Sequence, residues 1–265
     1  MSISINYKGR FGNRMFQYIA ARVFSEIYEI NLISNIESEV IKTTEHKTFD
    51  FNTQPTKEFK LHFDCFTNDD DFGFWGYDYR YIFNDFFQNS NFFNKHIDRI
   101  KSFFVLNNDN KNFDDIVMHV RLDDFIHSQN LENPETWDNS EIIHPDYYHE
   151  ILKNENFKNL YIVHDQIKYE WEKKYLSQFD KYNPIFISNS PEHDFSFIMK
   201  FNKIINSNST FSYWSSFLSN AEVIYTFKKT GFYGKNNKIH GPHIKNLDNI
   251  KNISKSLDFD FYFNN

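Results

Sequence analysis

Ile3 and Ile5 alternate with Ser4 and Asn6, the two-residue period of a strand with one buried face, so residues 3–7 read as a strand. A turn follows at residues 8–12. From about Asn13 the period changes: Met15, Tyr18, Ile19, Arg22 and Val23 recur on one face of a helix. Leu32 and Ile33 then begin a second strand. A strand, a glycine turn, a helix and another strand in that order open a doubly wound α/β domain.

Residues 35–112 are rich in Asn, Asp and Phe, and their pattern predicts short helices around residues 79–87 and 92–104. Beyond the polar stretch 107–112 a second alternating series begins. Its strands are expected at residues 116–120, 160–164, 184–188, 203–206 and 223–227. Its helices are expected at residues 144–152, 169–179, 194–201 and 209–218. Strands separated by single helices at this spacing form a parallel sheet. Two such series predict an α/β protein with two Rossmann-like domains and a cleft between them. Residues 1–112 would form the N-terminal domain, residues 113–250 the C-terminal domain, and residues 251–265 a tail. One larger sheet is the alternative.

Composition narrows the function classes. Phe (32) and Tyr (16) supply much of the 40% hydrophobic content, and rings that bury large areas can build two cores from few positions. A net charge of −7 excludes a general nucleic-acid binder, which would carry a basic face, but leaves room for a small basic phosphate pocket. The single cysteine, Cys65, has no intrachain partner, which fits a reducing compartment. Lys8 and Arg10 interrupt the N-terminus too early for a signal peptide, and no apolar run reaches the ~20 residues of a membrane span. The expectation is a soluble, cytoplasmic protein.

Four places could carry chemistry. Gly9-Arg10-Phe11-Gly12-Asn13 lies between the first strand and its helix, where glycines allow close backbone approach and a helix start favours anions. It is neither a Walker A loop nor GxGxxG, and a plain tight turn would look the same. Met118-His119-Val120-Arg121-Leu122-Asp123-Asp124-Phe125 ends a hydrophobic strand, at the end of a parallel sheet where ligands bind. The Arg121 guanidinium suits phosphate oxygens, although an ion pair with Asp124 would also account for it. In Asn208-Ser209-Thr210-Phe211-Ser212-Tyr213-Trp214, hydroxyls and free N–H groups open a helix and could cradle phosphate. An ordinary N-cap has the same residues. Asp194 could accept side by side from two guanine donors, or simply cap a helix.

In combination these segments are more specific. GRFGNRMFQY, HVRLDDF and NSTFSYW, in this order, resemble the α-1,2-fucosyltransferase family (glycosyltransferase family 11), whose motifs run GxxGNxMFQY, HxRRxDY and NSSFSWW. HPDYYHEIL and YIVHDQIKYEW between them also fit, so the resemblance spans roughly residues 3–219. It implies an inverting, metal-independent glycosyltransferase on a GT-B scaffold, transferring fucose from GDP-fucose to a glycan hydroxyl, with no cofactor beyond the donor substrate. Arg121 would neutralise the β-phosphate and His119 would sit beside the nucleotide. Asn208, Ser209, Thr210 and Ser212 would hold the diphosphate and Asp194 the guanine. Gly9, Gly12 and Asn13 would line the cleft near the transferred sugar. Arg121 and Asp124 are the candidates at the reacting centre, and Asp123, Asp124 and His127 are the nearest groups that could serve as a base. The chain departs from the family in Leu122, which replaces the second Arg, and in Phe125, which replaces the Tyr.

Rival readings make different demands. A metal-dependent transferase would need an acidic pair at a strand end, whereas Asp69-Asp70-Asp71 lies in a polar loop and Asp258 and Asp260 lie near the C-terminus. A transferase of the same fold with another nucleotide sugar, or a non-catalytic carbohydrate-binding relative, remains as an alternative. In the latter, the aromatic segment 72–81 would stack on sugar rings.

Overall fold

The computed structural model describes residues 2–34, 36, 41, 48–49, 57–62, 66–67, 71–104, 112–122, 142–226 and 244–246. Two compact units divide the chain between Asn107 and Asn108.

The first unit begins with β1 (Ser2–Ile5), α1 (Phe11–Tyr28) and β2 (Asn31–Leu32). It continues through β3 (Lys57–Leu61), β4 (Phe66–Thr67), β5 (Asp71–Phe72) and β6 (Tyr79–Phe83), then α2 (Ser90–Lys95) and α3 (Ile97–Ser102). Strands β2-β1-β6-β3 form a parallel sheet in that order, and β4 and β5 pair antiparallel. Met15 to Ser25 of α1 are all buried. A helix so apolar around its circumference needs cover on every side. Phe24 packs on Tyr81 and Phe83 of β6 at 5.1 and 5.6 Å, and Phe16 packs edge-on against Phe93 of α2 at 5.2 Å. The helix stops where Glu29 turns left-handed (φ 56°) and Ile30 N–H bonds back to Ser25 O.

The helix expected over residues 79–87 is instead strand β6. It lies between β1 and β3, and Tyr81, Ile82 and Phe83 are buried in succession. A strand covered on both faces has no polar alternation, so its apolar run carries no period that separates it from a helix. Phe87 then takes φ 55°, which ends any regular run. The helix expected over residues 92–104 is two short ones, broken at His96.

The second unit runs β7 (Asn112–Val120), α4 (Pro145–Leu152), β8 (Leu160–His164), α5 (Glu170–Ser177), β9 (Ile185–Ile187), α6 (Pro191–Ile198), β10 (Phe201–Ile205), α7 (Thr210–Leu218), β11 (Val223–Thr226) and β12 (Ile244–Asn246). All its strand pairings are parallel, in the order β12-β11-β10-β7-β8-β9. The two α/β units with parallel sheets expected from the sequence are thus present. Along β7, Ile116, Met118 and Val120 join one core with Tyr147, Tyr148 and Trp171, while Val117 joins another with Ile198 and Ile204. Both faces are covered, as an all-parallel sheet requires. Among the described residues, no helix is long and apolar enough to cross a membrane.

Candidate functional site

Numbered within its own sheet, the second unit has the strand order 3-2-1-4-5-6: β7 is first, β8 and β9 extend one way, and β10 to β12 the other. The order reverses between β7 and β10, and in such sheets ligands bind outside the carboxyl ends of the strands at that reversal. The registers Ile205↔Met118 and Val120↔His164 bring three segments to this one place. They are His119 to Leu122 at the end of β7, Asp165 after β8, and Asn206 to Ser212 after β10.

His119 is 5% exposed, and its Nδ1 lies 2.7 Å from Ser207 Oγ. Ser207 Oγ in turn lies 3.3 Å from Ser212 Oγ, which donates to the Ser209 and Ser207 carbonyls at 3.0 and 3.1 Å. Phe211 leans on the imidazole at 5.2 Å between ring centres, and Tyr148 donates to the His119 carbonyl at 3.2 Å. Burial, then the Arg121 and His164 charges, lower the His119 pKa to about 3. At neutral pH this ring is an uncharged hydrogen-bonding group, not a cation.

Arg121 lies just past the end of β7, largely buried, with Nη1 donating to Asp165 Oδ1 at 2.5 Å. This acceptor directly follows the neighbouring strand β8, 44 positions away. Asp124, expected at the reacting centre, lies outside the described residues, as do Asp123 and His127. Leu122, where the family has a second Arg, is 2% exposed and packs in the core with Met118 and Val120. A guanidinium is not accommodated in that position.

Helix α7 starts at the same place. Ser209 is its N-cap, accepting from Phe211 N–H at 3.2 Å, and Thr210, Phe211 and Ser212 form the first turn. The first N–H groups of a helix have no intrahelical acceptor and present the positive end of its dipole. Acidic residues are absent from this turn. Asn208 is 7% exposed, and its Oδ1 is buried with no hydrogen-bond partner among the described residues. The structure thus gathers His119, Arg121, Asn208, Ser209, Thr210 and Ser212 at one sheet edge.

Asp194 lies in the first turn of α6, not ahead of it, and is 6% exposed. Its two oxygens accept from Asn189 N–H at 3.0 and 3.2 Å, and Oδ1 also accepts from Asn189 Nδ2 at 3.1 Å. The carboxylate thus braces the turn between β9 and α6.

Gly9, Gly12 and Asn13 belong to the first unit, at the carboxyl end of β1. There too the order reverses, between β1 and β6. Gly9 has φ 73°, and a Cβ on it would lie 2.4 Å from Asn13 Nδ2. This glycine lets the Asn13 amide fold over the turn, where Asn13 Oδ1 accepts from Gln88 at 3.1 Å. Gln17, fully buried, accepts from Lys8 N–H at 2.9 Å and donates to the Lys8 and Asn13 carbonyls at 2.7 and 3.0 Å. Sequence reasoning did not single out Gln17, Ser207 or Asp165. Gln17 is visible in GRFGNRMFQY as a polar residue within the apolar run Met15 to Ala21 of the helix. Ser207 and Asp165 owe their place to strand register.

The sequence model for Glycosyl transferase family 11 matches residues 1–239. No curated protein matches the sequence. Among solved structures the chain is similar to one titled as a crystal structure of POFUT1 in complex with GDP, at 10% identity and a TM-score of 0.44. That likeness covers 83% of this chain and 95% of the other, and is too loose to carry an argument. The family match extends from the Gly9 turn through the strand-end Arg121 to α7, and so the chain belongs to glycosyl transferase family 11, the α-1,2-fucosyltransferase family, and is a glycosyltransferase.

Proposed function

We propose that the second unit binds GDP-fucose at the β7/β10 reversal and that the enzyme transfers the fucosyl group, with inversion and without a metal, to a glycan hydroxyl. The observation that carries this reading is the His119–Ser207 hydrogen bond. It ties the HVR strand end to the loop opening α7, so that one side chain cation and one helix start converge where a parallel sheet binds nucleotides.

In the reaction the acceptor oxygen forms a bond to the sugar's anomeric carbon while the bond from that carbon to the β-phosphate oxygen breaks. The electron pair leaves on GDP, and the hydroxyl proton passes to a base or to water. Negative charge therefore grows on the departing phosphate. Arg121, oriented by Asp165, and the N–H groups of Thr210 and Ser212 are fixed donors for that charge, which lowers the barrier without a cation. Ser209 and Asn208 complete the cradle. Asp194 serves the guanine by holding the β9–α6 turn in shape, with its remaining lone pairs toward the base. The first unit, with Gly9, Gly12 and Asn13 at its sheet edge, takes the acceptor-side role, and Asp124, outside the described residues, is the second catalytic candidate.

A thermal-shift panel of GDP, UDP, dTDP and CMP tests the donor. Stabilisation selective for GDP is the expected result; selectivity for UDP would assign a different sugar nucleotide to the same fold. Turnover should persist in EDTA, and its complete loss would overturn the metal-independent reading.

A further inference from the structure

The hydroxyl chain behind His119 has a direction. Ser212 Oγ has a single hydrogen and lies 3.0 and 3.1 Å from two carbonyl oxygens, which can only accept. That hydrogen is therefore committed to the backbone. With the 3.3 Å contact between the two serines taken as a hydrogen bond, Ser212 accepts there and the Ser207 hydroxyl donates to it. Ser207 Oγ is left with lone pairs toward His119 Nδ1, 2.7 Å away. A buried imidazole that stays neutral carries one N–H, and this chain calls for it on Nδ1. His119 Nε2, with no partner among the described residues, is then a bare acceptor.

We infer that Ser207 is a positioning residue: by accepting from His119 Nδ1–H it fixes the tautomer in which Nε2 receives a hydrogen bond from a hydroxyl of the nucleotide-sugar donor. A lone pair at Nε2 repels phosphate oxygens and attracts O–H donors, so the pair divides the site between sugar hydroxyls at His119 and phosphate at Arg121. The inference rests on the proposed donor site for its ligand, but its tautomer does not depend on any ligand.

The test is ¹⁵N NMR of the imidazole nitrogens in the unliganded full chain, with His119→Gln used to assign the His119 signals, followed by donor kinetics of Ser207 variants. The expected result is the Nδ1–H tautomer in the native protein and a shift toward Nε2–H in Ser207→Ala. With it, kcat/KM for GDP-fucose should fall about tenfold, the worth of one ordinary hydrogen bond. Ser207→Thr, which keeps the hydroxyl, should restore both readouts. A native Nε2–H tautomer, or an Ser207→Ala protein with unchanged tautomer, overturns the inference. A tautomer shift with unchanged kinetics overturns the role toward the donor. If the native chain binds no GDP, the donor assignment fails separately, and the NMR readout still decides the tautomer.

Discussion

Arg121 and Asp165 meet at 2.5 Å across the ends of two adjacent parallel strands, β7 and β8, whose register sets Val120 beside His164. The pair is largely buried, so the guanidinium is held in one orientation by a neighbour that is itself fixed to the sheet. One of the five donors of Arg121 is engaged in this way. Leu122, where the family has a second Arg, is buried in the core beside it.

That relationship predicts the effect of Asp165→Asn. An amide oxygen still accepts a hydrogen bond but no longer attracts the guanidinium by charge, so Arg121 gains freedom. We expect kcat/KM for the donor to fall about tenfold with little change in unfolding temperature. Unchanged steady-state kinetics would mean that Arg121 keeps its place without this carboxylate.

Gly9→Ala combines a left-handed backbone with a side-chain clash, since the new Cβ would meet Asn13 Nδ2 at 2.4 Å. The loss in stability should be roughly 1–3 kcal/mol. Urea denaturation measures it directly. A variant as stable as the parent would show that the turn rebuilds without Asn13 folded over it.

His119 gives a pH dependence whose sign is fixed. Its folded pKa, about 3, lies below the unfolded value of 6.5, so between these values the unfolded chain binds the proton that the folded chain refuses. Stability is unaffected by this group above pH 6.5 and declines as pH falls from there toward 3. Differential scanning calorimetry of the parent and His119→Gln should show a shallower decline in the variant over that window. Parallel curves would contradict a neutral, buried His119. Activity should show no His119 titration between pH 5 and 8.

Asp194→Ala would leave Asn189 N–H without its acceptor in a buried turn. The expected destabilisation is about 1–3 kcal/mol. In the proposed donor site GDP should also lose its advantage over UDP, because the turn assigned to the base loosens. Full stability would exclude the bracing role seen between Asp194 and Asn189.

The segments that carry ligand chemistry were legible in the sequence because each joins a strand to a helix, and that change of period is itself a local signal. Residues 160–164 were read as a strand and form β8. Thr210 begins its helix one residue from the expected start because Ser209 caps it. What escaped was whatever depends on distant neighbours. Strand β6 is buried on both faces, so its aromatic run looked helical. Ser207 and Asp165 are 88 and 44 positions from the residues they hold, and only parallel register brings them together.

Arg121 is the residue proposed to grip the diphosphate of the donor. Isothermal titration of GDP and of guanosine into the parent and Arg121→Ala separates that contact from base recognition. We predict that the variant loses about a hundredfold in GDP affinity, the scale of a charge-assisted phosphate contact, while guanosine binding stays as in the parent. Equal GDP affinity in the two proteins would contradict the account.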